Sequence, residues 1–318
     1  MTPPPLALEQ MIRQELAQPV PPGAHALADR LRERYGTALR AVLMYGSNLR
    51  QGDDHEGVLD LYALVTDYRS AYRNPALAVI NRILPPNVFY LETELERRVV
   101  RSKYAVLALD DLPRRTSART SEPYFWARFA QPCALVYAAD EQVRDAVVTA
   151  LAGAVETFVR FGVPLAGVPF DSYELWTTAW QATYGAEIRP ERPGAADALY
   201  ASHAERFEHA TALAVPALPW PSTAAVEEGR LRFRVDLTPR ARRHAARAWR
   251  LRRLHAKGLF LLRILRNALI FEGGVDYALW KIQRHSGVAI DQAWRQKRHP
   301  LLALGAEAWR LYRARAFR

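Results

Sequence analysis

Residues 43–62, LMYGSNLRQGDDHEGVLDLY, put a Gly-Ser pair at the end of one apolar run and a single carboxylate, Asp60, inside the next. Glycine at a strand mouth lets the backbone approach a ligand closely. Its exposed N–H groups form a concavity suited to phosphate oxygens, and Ser47 adds a hydroxyl. An aspartate within an apolar strand is costly to bury unless it is paired or holds a metal. Beside the Gly46-Ser47 turn, Asp60 has the chemistry to hold Mg²⁺, which takes carboxylate and phosphate oxygens. Together these groups suit a site that neutralises a nucleoside triphosphate and the charge developing as pyrophosphate departs. The chain carries no Walker loop, dinucleotide fingerprint, zinc-ligand spacing or nucleophile elbow. His55, His244, His255 and His285 show no ligand spacing.

The elements that must position these residues are legible around them. Ala41–Tyr45 is short, apolar and strand-like, Val58–Val65 is a second such run, and the polar stretch between them reads as a surface loop. Residues 24–38 have helical spacing, with Leu27, Leu31 and Tyr35 on one face. Asp67–Leu84 reads as a helix-rich connection ended by Pro85-Pro86, and Asn87–Leu95 and Arg98–Leu109 as two further strands. Mixed strands with helices on one side predict an α/β or α+β unit, and the helical remainder of the chain makes α+β the fold class expected. From Glu122 the texture becomes helical, with Val143, Ala146, Val147, Leu151 and Val155 at helical intervals and a further helical pattern over Tyr173–Thr183. The segment PALPWPS (216–222) reads as a boundary or linker. Thr238-Pro239 reads as the N-cap and first-turn proline of a long basic helix stopped near Gly273-Gly274. Within it GLFLLRILRNALIF is apolar but interrupted by Arg263, Arg266 and Asn267, which suits a packed or interfacial helix.

Composition bounds the class. A chain of 318 residues, 50% hydrophobic, can bury a substantial core. The single Cys133 excludes a disulfide framework and a multi-cysteine zinc cluster. Of 44 Lys+Arg and 33 Asp+Glu, residues 229–318 hold 22 and 5, which leaves 22 and 28 for the preceding residues. That asymmetry points to an anionic partner for the last third (nucleic acid, lipid headgroups or a polyphosphate) or to a solubilising arginine-rich surface.

Strand, Gly-Ser, about a dozen residues and an acid on the next strand is the layout of the nucleotidyltransferase superfamily, although its common acid-x-acid pair is here Asp60-Leu61-Tyr62. The wider context, YGSNLRQ, VLDLYALVTDY, NVFYLETELERRVVRSKYAVLALDDL and FWARFAQPCALVY, resembles the mitochondrial-type phosphatidate cytidylyltransferases, peripheral CDP-diacylglycerol synthases with bacterial relatives. Lys103-Tyr104-Ala105-Val106 falls on that family's Lys-Tyr-Gly-Val strand. Asp110-Asp111-Leu112 falls on the acidic turn after it, and Trp126, Arg128 and Pro132 on the following segment. In TYGAEIRP (183–190) Glu187 takes the family's acidic position and Arg189 the basic one; Lys257-Gly258, Tyr277 and Lys281 match a later stretch. The family's Lys-Ser pair falls on Gly273-Gly274, so either Arg266, Lys257 or Lys281 supplies its phosphate contact or the substrate differs. The single acid on the second strand is shared with the family.

The resemblance implies a nucleotidyltransferase-type mixed sheet with helices (20–135), a helical region completing the active site (136–222) and a basic helical carboxy-terminal domain (223–318). It implies catalysis by Asp60 and Ser47, nucleotide binding by Tyr45, Gly46, Ser47 and Lys103, and a Mg²⁺ held by Asp60 and Glu187. Arg189, Lys257 and Lys281 would hold the acceptor's phosphate. The implied reaction is CTP plus phosphatidate giving CDP-diacylglycerol and pyrophosphate. The partners would be CTP and phosphatidate in an anionic membrane surface, with no nucleic acid. The start of the chain lacks the features of a secretory signal, and no stretch approaches the roughly 20 apolar residues of a spanning helix. The expected location is therefore cytoplasmic, peripheral on the inner face of the cell membrane, with HPLLALGAEAWRLYRARAFR as a docking helix. The alternatives are a nucleotidyltransferase with another acceptor and a non-catalytic nucleic-acid-binding protein using the basic last third.

Overall fold

The computed structural model describes the backbone of residues 4–52, 57–185 and 194–270, and their side chains except at 50, 51, 264, 265 and 267–270. Two helices, α1 (Leu6–Leu16) and α2 (Pro22–Tyr35), precede strand β1 (Leu39–Tyr45). The one-turn helix α3 (Ser47–Gln51) leads to β2 (Leu59–Val65), then α4 (Tyr68–Ala71), α5 (Pro75–Ile83) and the hairpin β3 (Asn87–Leu95) and β4 (Arg98–Ala108). Next come α6 (Leu112–Thr116), α7 (Pro123–Phe129), β5 (Cys133–Ala138), α8 (Glu141–Gly162), α9 (Ser172–Tyr184), α10 (Ala195–Ala201) and α11 (Ala204–Ala214). A second hairpin, β6 (Ser222–Glu227) and β7 (Arg230–Val235), precedes the long α12 (Pro239–Ile270). Residues Met1–Arg266 form one compact unit and Asn267–Arg318 another. The fold class is α+β, with a mixed five-stranded sheet in the order β3-β4-β2-β1-β5.

β1 (LRAVLMY) and β2 (LDLYALV) are nearly continuous apolar runs, the pattern of strands buried on both faces. Period-two alternation divides their side chains between two cores. Val42, Met44, Leu61 and Ala63 pack with Leu27, Leu31 and Tyr35 of α2, while Ala41, Leu43, Tyr62 and Leu64 pack with α1, α7, α8 and α9. Helices thus cover both faces, not one side as the sequence suggests. β2 and β4 are parallel, and β1 pairs antiparallel with β2 and β5.

Two further differences have simple causes. β5 lies inside a region whose texture reads as helical, because a six-residue apolar run cannot be assigned by periodicity alone. The prolines of 216–222 mark a break in regular structure but no loss of packing. The hairpin that follows turns at Glu228-Gly229, both at positive φ (51° and 76°), and bridges Phe170 to Phe233 in the main core.

The expected start of the basic helix is present, with the Thr238 hydroxyl accepting from the Ala241 N–H at 3.2 Å. The arginines that interrupt its apolar segment are buried. Arg263 is ion-paired with buried Glu122 and donates to the Pro85 carbonyl at 2.8 Å; Arg266 donates to the carbonyls of Leu84 and Pro86. Burial, with Arg263 nearby, pushes the Arg266 guanidinium down to about 10. Among the described residues no helix is long and apolar enough to cross a membrane.

Candidate active site

Strand register assembles the site. Tyr45 pairs with Asp60, and Asp60 pairs in turn with Lys103, so one row across β1, β2 and β4 carries all three residues. Their side chains share the sheet face covered by α7, α8 and α9, because residues two apart point the same way: Asp60 follows Tyr62, and Lys103 follows Ala105. Lys103 Nζ stands 2.8 Å from Asp60 Oδ1, with the side chains 36% and 24% exposed, so both reach the surface of the site. β4 lies between β3 and β2. Lys103 is therefore on an inner strand in an ion pair, where sequence alone makes a solvated edge-strand lysine the commoner case.

Gly46 closes the group. It sits at φ 90°, ψ −165°, and a Cβ there would stand 2.9 Å from Asp60 Oδ2. A side chain would fill the space the carboxylate occupies, so the turn and Asp60 approach each other only with glycine here. Ser47 follows, exposed, as the first residue of α3.

A cleft of about 290 Å³ opens beside this turn, lined by Tyr45, Gly46 and Ser47 and by Tyr124, Arg128 and Tyr184 from the helices opposite. Helix spacing explains the contribution of α7. Phe125, Trp126 and Phe129 are buried, while Tyr124 and Arg128, four apart, share the face over the cleft. The Arg128 guanidinium lies 4.4 Å from the Tyr124 ring centroid and 5.4 Å from that of Tyr45, and it donates to the Tyr62 hydroxyl at 3.4 Å. Cation–π contacts of this kind hold a guanidinium in place. Arg128 is the functional candidate that sequence reasoning left without a role; its one signal was its position in the family-like segment.

Burial pushes the Tyr45 phenol well up, Arg128 pulls it partly back and Asp60 pushes it further up; burial likewise raises Tyr62. The Cys133 thiol, paired with Tyr45 across β1 and β5, is raised by burial and then by Glu15. Neither of these two phenols nor the thiol is therefore poised as a base or nucleophile.

Among the described residues no three His, Cys, Asp or Glu side chains gather to hold a metal. Asp60 is the carboxylate at the Gly46 turn, with one oxygen on Lys103 and the other facing Gly46. That donor set fits an ion that brings most of its ligands with it, as Mg²⁺ does when it rides on triphosphate oxygens with one or two carboxylates.

The remaining expected residues fall elsewhere. Lys257 is exposed on α12 and does not line the cleft. Arg266, a candidate substitute for the family's phosphate-binding lysine, instead holds backbone carbonyls inside the protein. Asp110 and Asp111 follow the carboxyl end of β4, at the opposite end of the sheet from Asp60. Glu187, Arg189, Gly273, Gly274, Tyr277 and Lys281, and the terminal segment 299–318, lie outside the described residues. Tyr184 and Ala195, on either side of the segment holding Glu187 and Arg189, both line the cleft. A comparison with models of known protein families finds no match, and none is found among curated proteins.

Proposed function

We propose that this chain transfers a nucleotidyl group from a nucleoside triphosphate to a phosphate-bearing acceptor at the Gly46–Asp60–Lys103 row. The observation that carries the reading is the Asp60 carboxylate set between Gly46, which one of its oxygens faces, and the Lys103 ammonium on the other, with Gly46 and Ser47 lining a cleft. In this reading the Gly46 backbone lets a triphosphate approach, the Ser47 hydroxyl donates to it, and Lys103 and Arg128 offset its negative charge. Asp60 would hold Mg²⁺, which when bound neutralises the triphosphate and the departing pyrophosphate. An acceptor that is already a phosphate oxyanion attacks the α-phosphorus in line without a general base. This agrees with the upward push of burial on the Tyr45 and Tyr62 phenols, which disfavours either as a base.

The specific pair we propose, on the order of the sequence motifs, is CTP and phosphatidate, giving CDP-diacylglycerol. The work would take place on an anionic membrane surface, with the chain peripheral on the cytoplasmic side. Thermal unfolding with each of the four triphosphates and Mg²⁺ tests nucleotide choice, because a ligand that binds only the fold raises the midpoint. CTP should give the largest rise, and Asp60→Asn should remove it. Equal rises with all four would remove CTP as the specific substrate. A rise untouched by Asp60→Asn would remove the site. The reading as a nucleic-acid binder makes the opposite forecast, with binding indifferent to Asp60 and falling steeply with salt.

A further inference from the structure

About 20 Å along β2 from Asp60, a crevice of about 1210 Å³ opens where the parallel strands β2 and β4 end. One wall is the α4–α5 segment, the other the turn after β4, and Arg69, Arg73, Arg82 and Arg114 all line it. The space outside the carboxyl ends of adjacent parallel strands is a recurrent ligand position, since the connections leaving them part there.

Four arginines face three aspartates around this crevice, a balance of +1, and two of the aspartates are engaged by their neighbours. Asp67 caps α4, accepting from the Arg69 N–H at 2.7 Å, the Ser70 N–H at 3.0 Å and the Ser70 hydroxyl at 2.7 Å. Asp111 accepts from the Tyr68 hydroxyl at 2.9 Å and pairs with Arg114 at 2.9 Å. Among the described residues, only Arg114 of the four arginines is ion-paired; Arg69, Arg73 and Arg82 line the space with Asp110 and with the capping Asp67, whose ionised form its Ser70 hydrogen bonds and, after them, the nearby Arg69 favour. Guanidiniums gathered on a concave wall repel one another, and a multiply charged phosphate group relieves that repulsion with bidentate hydrogen bonds. Tyr72 and Val79 add apolar wall for a carbon portion.

We propose that this crevice is a second binding site, taking a phosphorylated small molecule with at least two negative charges. It is separate from the Gly46 cleft and independent of the acceptor used there. The test is calorimetric titration of the full chain with inorganic tripolyphosphate in magnesium-free, low-salt buffer. Lys103→Met, which weakens the cleft, should retain a tripolyphosphate site. On that background Arg73→Glu/Arg82→Glu should lower its affinity at least tenfold. So should Val79→Trp, which fills the space without changing charge at a position 56% exposed, and which carries the test if the arginine variant does not fold. Absence of any tripolyphosphate site in the Lys103→Met protein overturns the proposal. An affinity unchanged by both the charge reversal and the filling substitution in folded protein overturns it equally.

Discussion

Gly46 and Asp60 each limit what the other position can hold. Any Cβ at residue 46 meets the carboxylate oxygen at 2.9 Å, and the backbone there sits at φ +90°. Gly46→Ala should therefore cost about 1–3 kcal/mol of stability and abolish turnover, by displacing Asp60. Gly52, at φ +63° with nothing within 4 Å of where a Cβ would stand, provides the control. Gly52→Ala should cost about 1–2 kcal/mol from the left-handed backbone alone and keep measurable turnover. Urea unfolding and a pyrophosphate-release assay on both variants check this, and equal activity in the two would detach Gly46 from the site. Gly46 and Asp60 were legible in the sequence because an acid in an apolar strand and a glycine at a strand mouth are local anomalies. The partnership of Asp60 with Lys103 was not, since forty-three positions separate them and only the parallel register of β2 and β4 joins them. Arg128 was illegible for a related reason: its place depends on stacking against Tyr124 and Tyr45, the second of which comes from another element.

At the level of elements, α12 is tied to the sheet side of the protein by buried charge. Arg263 reaches both Glu122 at the start of α7 and the Pro85 carbonyl before β3, and stacks 4.5 Å from the Tyr124 ring. Removing Arg263 leaves buried Glu122 with only the longer ion pair to Arg115 at 4.0 Å, a loss of up to about 3–5 kcal/mol. Arg263→Met should show that loss in urea unfolding, and the double change Arg263→Met/Glu122→Gln should recover part of it. A double variant as unstable as the sum of the two single ones would contradict the pairing. Because Tyr124 lines the cleft, the same contact links the basic helix to the candidate site. The sequence marked Arg263 and Arg266 as interruptions of an apolar stretch, yet could not say whether water, lipid or protein received them. β1 to β4 were legible as short strand-like runs, apolar in β1 and β2, set off by Gly and Pro punctuation. β5 and the β6–β7 hairpin were not, because short apolar or polar strands surrounded by helical texture acquire their identity from the partner they pair with.

For the whole molecule, the basic balance of the last third is partly internal. Of the residues on α12, Arg242 donates to the carbonyls of Pro164 and Ala166, Arg252 stacks 3.8 Å from the Phe161 ring, and Arg263 and Arg266 are buried. The tyrosines give the fold an alkaline limit. Burial raises Tyr35, Tyr45, Tyr62, Tyr68, Tyr72 and Tyr104 above their ordinary value of 10.0. The fold keeps protons that the unfolded chain gives up, so this contribution is complete below about pH 10 and is lost as pH rises through the higher folded values. Arg266, lowered to about 10, has the opposite sign, because the fold releases its proton first. Burial lowers Arg115 and Arg252 as well, which sets three groups of this sign against the six tyrosines. The urea midpoint should therefore fall from pH 10 upward, and a midpoint that holds or rises between pH 10 and 11 would contradict the burial of these phenols.

Incubation of purified protein with Mg²⁺, CTP labelled at its α-phosphate and phosphatidate vesicles, followed by lipid extraction, addresses nucleotidyl transfer itself. Label should enter the lipid phase with the wild-type chain and should stay in the aqueous phase with Asp60→Asn, which removes one charge at nearly constant shape. Lipid labelling of equal extent by folded Asp60→Asn protein, or none by the wild type, would contradict phosphatidate cytidylyl transfer at the Gly46–Asp60–Lys103 row.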